Sequence, residues 1–260
     1  MRKRPIAISY PETDDMGEHE IQRLIAELLR PLIERFLLER GRPAHVGADQ
    51  FIYWEEGTPT RRIAPDVYVL PGVDRGIAIR SWKTWESGIV PSFALEIVGG
   101  DVAKDYEDGP AEYASLGVEE LVVFDPHATP SSKTRVRWQV FRRIAKRGLV
   151  RVDVSNGDRV KSRVLKAWLR AVGSGDAVRI RIAEGERGDQ LFPTEAEAER
   201  AAKEIERAAK EVERAAKEAE REANRILRAA NENERRARRA AEDEVAKLKL
   251  ALERARRSKR

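Results

Sequence analysis

The chain has no cysteine in its 260 residues. Disulfides and thiolate metal sites are therefore excluded, and a reducing compartment is the expected setting. Its three histidines, His19, His45 and His127, are scattered without metal-ligand spacing. No glycine-rich phosphate loop of the GxGxxG or Walker type occurs, and no serine or cysteine nucleophile pattern is present. No apolar run approaches the roughly 18 residues that a membrane-spanning helix requires. The opening MRKRPIAISYPETDD has too short an apolar stretch before Pro11 and Asp14 for a signal peptide. A soluble cytoplasmic protein, without a membrane partner, is expected.

Charge is abundant but unevenly placed. Residues 194–260 hold 20 Lys/Arg and 16 Asp/Glu, leaving 30 and 29 for the rest of the chain. The net charge of +5 thus lies almost wholly in the tail. A nucleic-acid groove in the remainder would need local clustering of cations. Arg135, Arg137, Arg142, Arg143, Lys146 and Arg147 form one such stretch, suited to phosphate contacts or simply to an exposed strand face.

The tail repeats ERAAKE at seven-residue intervals from Glu199, Glu206 and Glu213. Ile205, Val212, Ala219 and Ile226 mark the same period, with alanines four residues after each. That spacing predicts a long helix with a thin coiled-coil seam, and hence self-association. A break at Asn233 and resumption at Val245, Leu248 and Leu252 reads as a stutter. Two regions follow: a domain over 1–193 and a helical tail over 194–260.

Within the domain, apolar spacing predicts a helix over 17–41, interrupted by Pro31 and ended by Gly41. AHVGADQFIYWEEG reads as one strand ending in a polar turn, and residues 72–90 as loop. PDVYVL, FALEIV and ELVVF read as buried strands, and DGPAEYASLGV as a helix with Asp108 as its N-cap. The succession 93–98, 110–116, 120–124 predicts a strand–helix–strand crossover, so the fold class is α/β.

Two of those strands carry carboxylates, Asp66 and Glu96. A buried, unpaired carboxylate is costly unless it is neutralised or protonated. If the strands are neighbours, Asp66, on the face of Tyr68 and Leu70, can meet Glu96, on the face of Ala94 and Val98. Such a pair suits a hard divalent cation, with a phosphodiester supplying further oxygen. Simpler readings are a turn cap for Asp66 and an ion pair of Glu96 with Arg61, Arg62 or Lys104. Asp101 and Asp105 stand nearby as auxiliary acids.

PDVYVL, ALEIVGGD and KDYEDGPAEYASLGVEELVVFDP occur in that order, followed by VLKAWLRAVG and GDQLFPTEAEAER. On these segments residues ~17–195 resemble the PD-(D/E)xK nuclease superfamily, and within it the Uma-two group of restriction endonucleases. The resemblance implies a restriction-endonuclease-like mixed sheet flanked by helices. It implies Asp66 and Glu96 as metal ligands for Mg²⁺, with Mn²⁺ as the alternative, and DNA as substrate. It also implies a lysine at one of two places, which here hold Val98 and Gly109; Lys104 is the nearest substitute as third catalytic member. Two other functions stand beside DNA cleavage. One is a nuclease-derived module that binds DNA or protein without cutting. The other makes the tail the main functional element.

Overall fold

The computed structural model describes residues 20–99, 102 and 104–257, without the side chains of Lys104, Leu250 and residues 252–257. The chain divides into two compact units, one ending at Thr194 and the other beginning at Glu195. Among the described residues, no helix is long and apolar enough to cross a membrane.

The first unit opens with α1 (Glu20–Glu39), whose buried face carries Ile21, Ile25, Leu29, Leu32, Ile33 and Phe36 at helical spacing. Pro31 lies inside the helix on its exposed side and does not end it. Then come β1 (Ala44–Gly47), β2 (Phe51–Tyr53), β3 (Arg62–Ile63), β4 (Val67–Pro71), β5 (Ser81–Lys83), the short α2 (Thr84–Ser87) and β6 (Phe93–Ile97). A π-helical turn, Lys104–Asp108, runs directly into α3 (Gly109–Leu116). β7 (Glu120–Phe124), β8 (Trp138–Ile144) and β9 (Gly148–Ser155) precede β10 (Arg159–Ser162), β11 (Ala167–Val172), β12 (Arg179–Glu184) and β13 (Gln190–Leu191).

The main sheet has the order β1-β4-β6-β7-β8-β9. Only β6 and β7 pair in parallel there, joined by the crossover through α3, and the other neighbours are antiparallel. Strand alternation divides its side chains between two cores. Val67, Val69, Phe93, Leu95 and Ile97 pack toward α1 and the β10–β13 sheet. Tyr68, Leu70, Ala94 and Val98 pack on the opposite side with Tyr113 of α3 and Ile52 of a small β3-β2-β5 sheet. Each such fully buried large side chain contributes about 1.5–3 kcal/mol.

Glu120 connects the main sheet to the β10–β13 sheet. Its carboxylate, fully buried, accepts from Arg142 Nε at 2.8 Å, from the Ser162 hydroxyl and from the Arg163 backbone at 3.0 Å.

Three expectations are corrected. AHVGADQFIYWEEG is not one strand: Asp49 adopts φ 61°, and β1 and β2 enter different sheets. The corner is fixed by Asp49 N–H donating to Pro65 O at 2.9 Å and Tyr68 OH donating to Gln50 Oε1 at 2.9 Å. Gly47 is required beside it, because an added Cβ would lie 2.3 Å from the Tyr68 ring. Residues 72–90 are not all loop, since Trp82 lies in β5 and Trp85 in α2. Asp108 is not an N-cap: it is itself helical and its side chain makes no capping bond, because the π-helical turn already supplies the preceding backbone. Pro110 in the first turn opens the helix and Gly117 at φ 99° ends it, as their chemistry demands.

The second unit is α4, Glu195–Arg257, 63 residues of continuous helix. Pairs such as Lys210–Glu206 and Arg214–Glu218 lie at i,i+4 spacing along it. Taken by itself, this helix exposes Ile205 (71%), Val212 (70%) and Ile226 (61%).

Candidate active site

β4 and β6 are adjacent antiparallel strands with Val67 opposite Leu95 and Tyr68 opposite Ala94. Continued by one residue, that register sets Asp66 opposite Glu96. The two side chains share a hydrogen bond, and that bond and the Asp66 charge both raise the proton affinity of Glu96. A second Asp66 oxygen contact holds the pair in place, with the Ile97 N–H donating to Oδ2 at 2.5 Å.

The surroundings are nearly dry. Asp66 is 9% exposed and Tyr113 is fully buried. Burial, and then the charge of Asp66, push Glu96 well above the ordinary carboxylate range. The Tyr113 hydroxyl opposes this by donating to Glu96 Oε1. Tyr113 is in turn raised well above its usual value, by burial first and by Glu96 second.

Glu96 opens into a cleft of about 320 Å³. Asp105, Gly109 and Glu112 line one side of it, and Phe51 and Arg62 of the small sheet line the other. Asp66 is not part of the cleft wall. Asp105 lies in the π-helical turn, close enough to Glu96 to raise its proton affinity, and its Oδ2 accepts from Gly99 N–H at 2.9 Å. The turn is secured by its neighbour: Tyr106 OH donates to Asp125 Oδ2 at 2.7 Å, and fully buried Asp125 also holds Arg135 Nε at 2.7 Å.

The sequence-derived residues therefore fare differently. Asp66, Glu96 and Asp105 come together. Lys104 begins the π-helical turn, but its side chain lies outside the described residues, as does Asp101 altogether. Val98 is sealed in the apolar core, whereas Gly109 faces the cleft. Neither arginine suggested as a partner neutralises Glu96: Arg61 pairs with Glu55 at 3.6 Å, and Arg62 lies over the Phe51 ring at 4.5 Å.

In the 135–147 stretch four arginines are engaged within the unit, while Lys146 and Arg147 are exposed. Arg135 and Arg142 are bound to Asp125 and Glu120, Arg137 to Ala128 O at 2.9 Å, and Arg143 to Val118 O at 3.0 Å. Sequence reasoning missed Tyr113 as the partner of Glu96. The available signal was a tyrosine on the apolar face of a short helix, since a buried hydroxyl must find a partner.

Two touching carboxylates offer hard oxygen donors, and their mutual repulsion is relieved by a proton or a cation. The donor set fits a divalent ion. No group of three or more acidic or histidine side chains among the described residues is arranged to enclose one, so water and substrate would complete the coordination.

Comparison with known proteins places this geometry in context. A family model named Uma2, described as "Putative restriction endonuclease", matches residues 11–173. A solved structure titled as a putative nuclease of the DUF820 group, from Anabaena variabilis, is similar at 13% identity and a TM-score of 0.41, over 57% of this chain and 75% of that one. No curated protein matches the chain.

Proposed function

Because the chain belongs to the Uma2 family, we propose that it is a metal-dependent endonuclease that hydrolyses DNA phosphodiester bonds. The observation that carries this reading is the meeting of Asp66 and Glu96 on neighbouring strands, with Glu96 opening into the cleft. Asp66 and Glu96 would hold Mg²⁺ or Mn²⁺, with Asp105 as auxiliary acid and Lys104 as third catalytic member. The ion, when bound, supplies positive charge to the phosphodiester and acidifies water. The chain's own groups do the positioning. Ile97 N–H donates to Asp66 Oδ2 and Tyr113 OH to Glu96 Oε1, which orients the two carboxylates. The apolar side chains behind them exclude water and strengthen every charge interaction in the cleft.

A supercoiled-plasmid assay with Mg²⁺ or Mn²⁺ tests the reading. The parent should nick or linearise the plasmid, and Asp66→Ala and Glu96→Ala should lose at least about a hundredfold in rate. Equal cleavage by all three removes the site. The second reading, binding without cleavage, is favoured by Val98 and Gly109 standing where the family resemblance implies a lysine. It predicts salt-sensitive DNA binding and intact plasmid under every divalent metal.

The exposed seam of Ile205, Val212 and Ile226 supports self-association through α4. Sedimentation equilibrium should give a dimer or higher species for the parent and a monomer for the Ile205→Ser/Val212→Ser double variant.

A further inference from the structure

We propose that Arg62, braced on the ring of Phe51, is the phosphate-binding cation of the cleft, a role that rests on the nuclease reading above. Three carboxylates, Glu96, Asp105 and Glu112, line the cleft, and among its described lining residues Arg62 is the one cation. A phosphodiester is repelled by such a wall unless a positive group receives its non-bridging oxygens. Arg62 is placed for this by the small sheet. β3 pairs with β2 so that Ile63 opposes the buried Ile52 and Arg62 opposes Tyr53. Opposed residues share a face, and alternate residues of β2 do too. Arg62 therefore shares the face of Phe51 and Tyr53, opposite that of the buried Ile52, and both Arg62 and Phe51 border the cleft.

The guanidinium lies 4.5 Å from the centroid of the Phe51 ring, and Phe51 is 44% exposed. Stacking holds the planar group while leaving its edge N–H donors free for bidentate contact with an anion. Neighbouring cations on this sheet are already engaged: Arg61 with Glu55 at 3.6 Å and Lys83 with Glu86 at 2.8 Å. Arg62 forms no ion pair with a described carboxylate. The small sheet thus supplies the cation, and β6, the π-helical turn and α3 the carboxylates, to one cleft.

The test has two arms, both on the full chain. Fluorescence anisotropy of a short fluorescein-labelled DNA duplex, in EDTA across a KCl series, compares the parent with Arg62→Ala, Arg62→Lys and Phe51→Ala. Arg62→Ala should weaken binding and lower the slope of log K against log salt by about 0.9, the loss of one phosphate contact. Arg62→Lys should keep most of that slope. In the Mg²⁺ plasmid assay, Arg62→Ala should lose about 10²–10³ in rate, with Arg62→Lys and Phe51→Ala between it and the parent. Tryptophan-monitored melting should be unchanged for all three variants.

An unaltered salt slope for Arg62→Ala, or a parent that does not bind the duplex, overturns the proposal. If Asp66→Ala and Glu96→Ala cleave like the parent, the nuclease reading fails by itself, and the anisotropy arm still decides whether Arg62 meets phosphate.

Discussion

Replacing Tyr113 by Phe removes a single oxygen from the most enclosed part of the cleft. The ring of Tyr113 is fully buried, so Phe preserves the packing. What disappears is the donor to Glu96 Oε1. A buried acceptor that loses a donor costs about 1–3 kcal/mol, which for a unit of this size is about 2–12 °C in Tm. The loss has a pH signature. The Tyr113 hydrogen bond favours ionised Glu96, against burial and the charge of Asp66. Its removal therefore raises the proton affinity of Glu96 further. The deficit should be smallest at acid pH, where Glu96 is neutral in both proteins, and should grow as pH rises. All five tryptophans precede Thr194, so tryptophan fluorescence reports the first unit without interference from α4. Thermal melts in EDTA at several pH values give the comparison. A Tyr113→Phe variant as stable as the parent at every pH refutes the argument that this hydroxyl supports Glu96.

Glu96→Gln should behave oppositely. The folded-state pKa of Glu96 lies above its ordinary 4.5, so its contribution is fully present below the unfolded value and is lost as pH rises through the folded one. Glu96→Gln should match the parent at acid pH and exceed its Tm at alkaline pH in EDTA; a constant gap contradicts this. Mg²⁺ should raise the Tm of the parent and leave that of Glu96→Gln unchanged, as mass action on a folded-state site requires. Glu120→Ala leaves Arg142, Ser162 and the Arg163 N–H without their acceptor, and should cost about 3–5 kcal/mol in urea unfolding. Gly109→Lys places a cation in the cleft beside Glu96 and should raise the plasmid cleavage rate; no increase, with Asp66 dependence intact, would show that the cleft already has its cation.

Local regularity made much of this fold readable in advance. The ERAAKE heptads carry α4, and the short spacing from FALEIV to ELVVF carries the β6–α3–β7 crossover with its parallel pair. The register that sets Asp66 opposite Glu96 was conditional, because two apolar strands can neighbour one another in several ways, and only the β4–β6 pairing chooses. What escaped depends on partners distant in the chain. The corner at Ala48–Gln50 lies between AHV and FIY, two strand-like runs separated by only four residues, so the sequence reads as one continuous strand. The arginines from 135 to 143 look like a cationic face because sequence does not reveal the carbonyls and acids that they bind. Arg62 could be named as a partner of Glu96, but its seat on Phe51 comes from the β2–β3 pairing.

The corner between β1 and β2 has a mechanical consequence. Its two fastenings, Asp49 to Pro65 and Gln50 to Tyr68, grip β4 just before and just after Asp66. A substrate that pushes the small sheet outward pulls on that grip. Outward displacement of the small sheet would therefore load the segment on either side of Asp66, so that cleft width and the position of this carboxylate are mechanically tied.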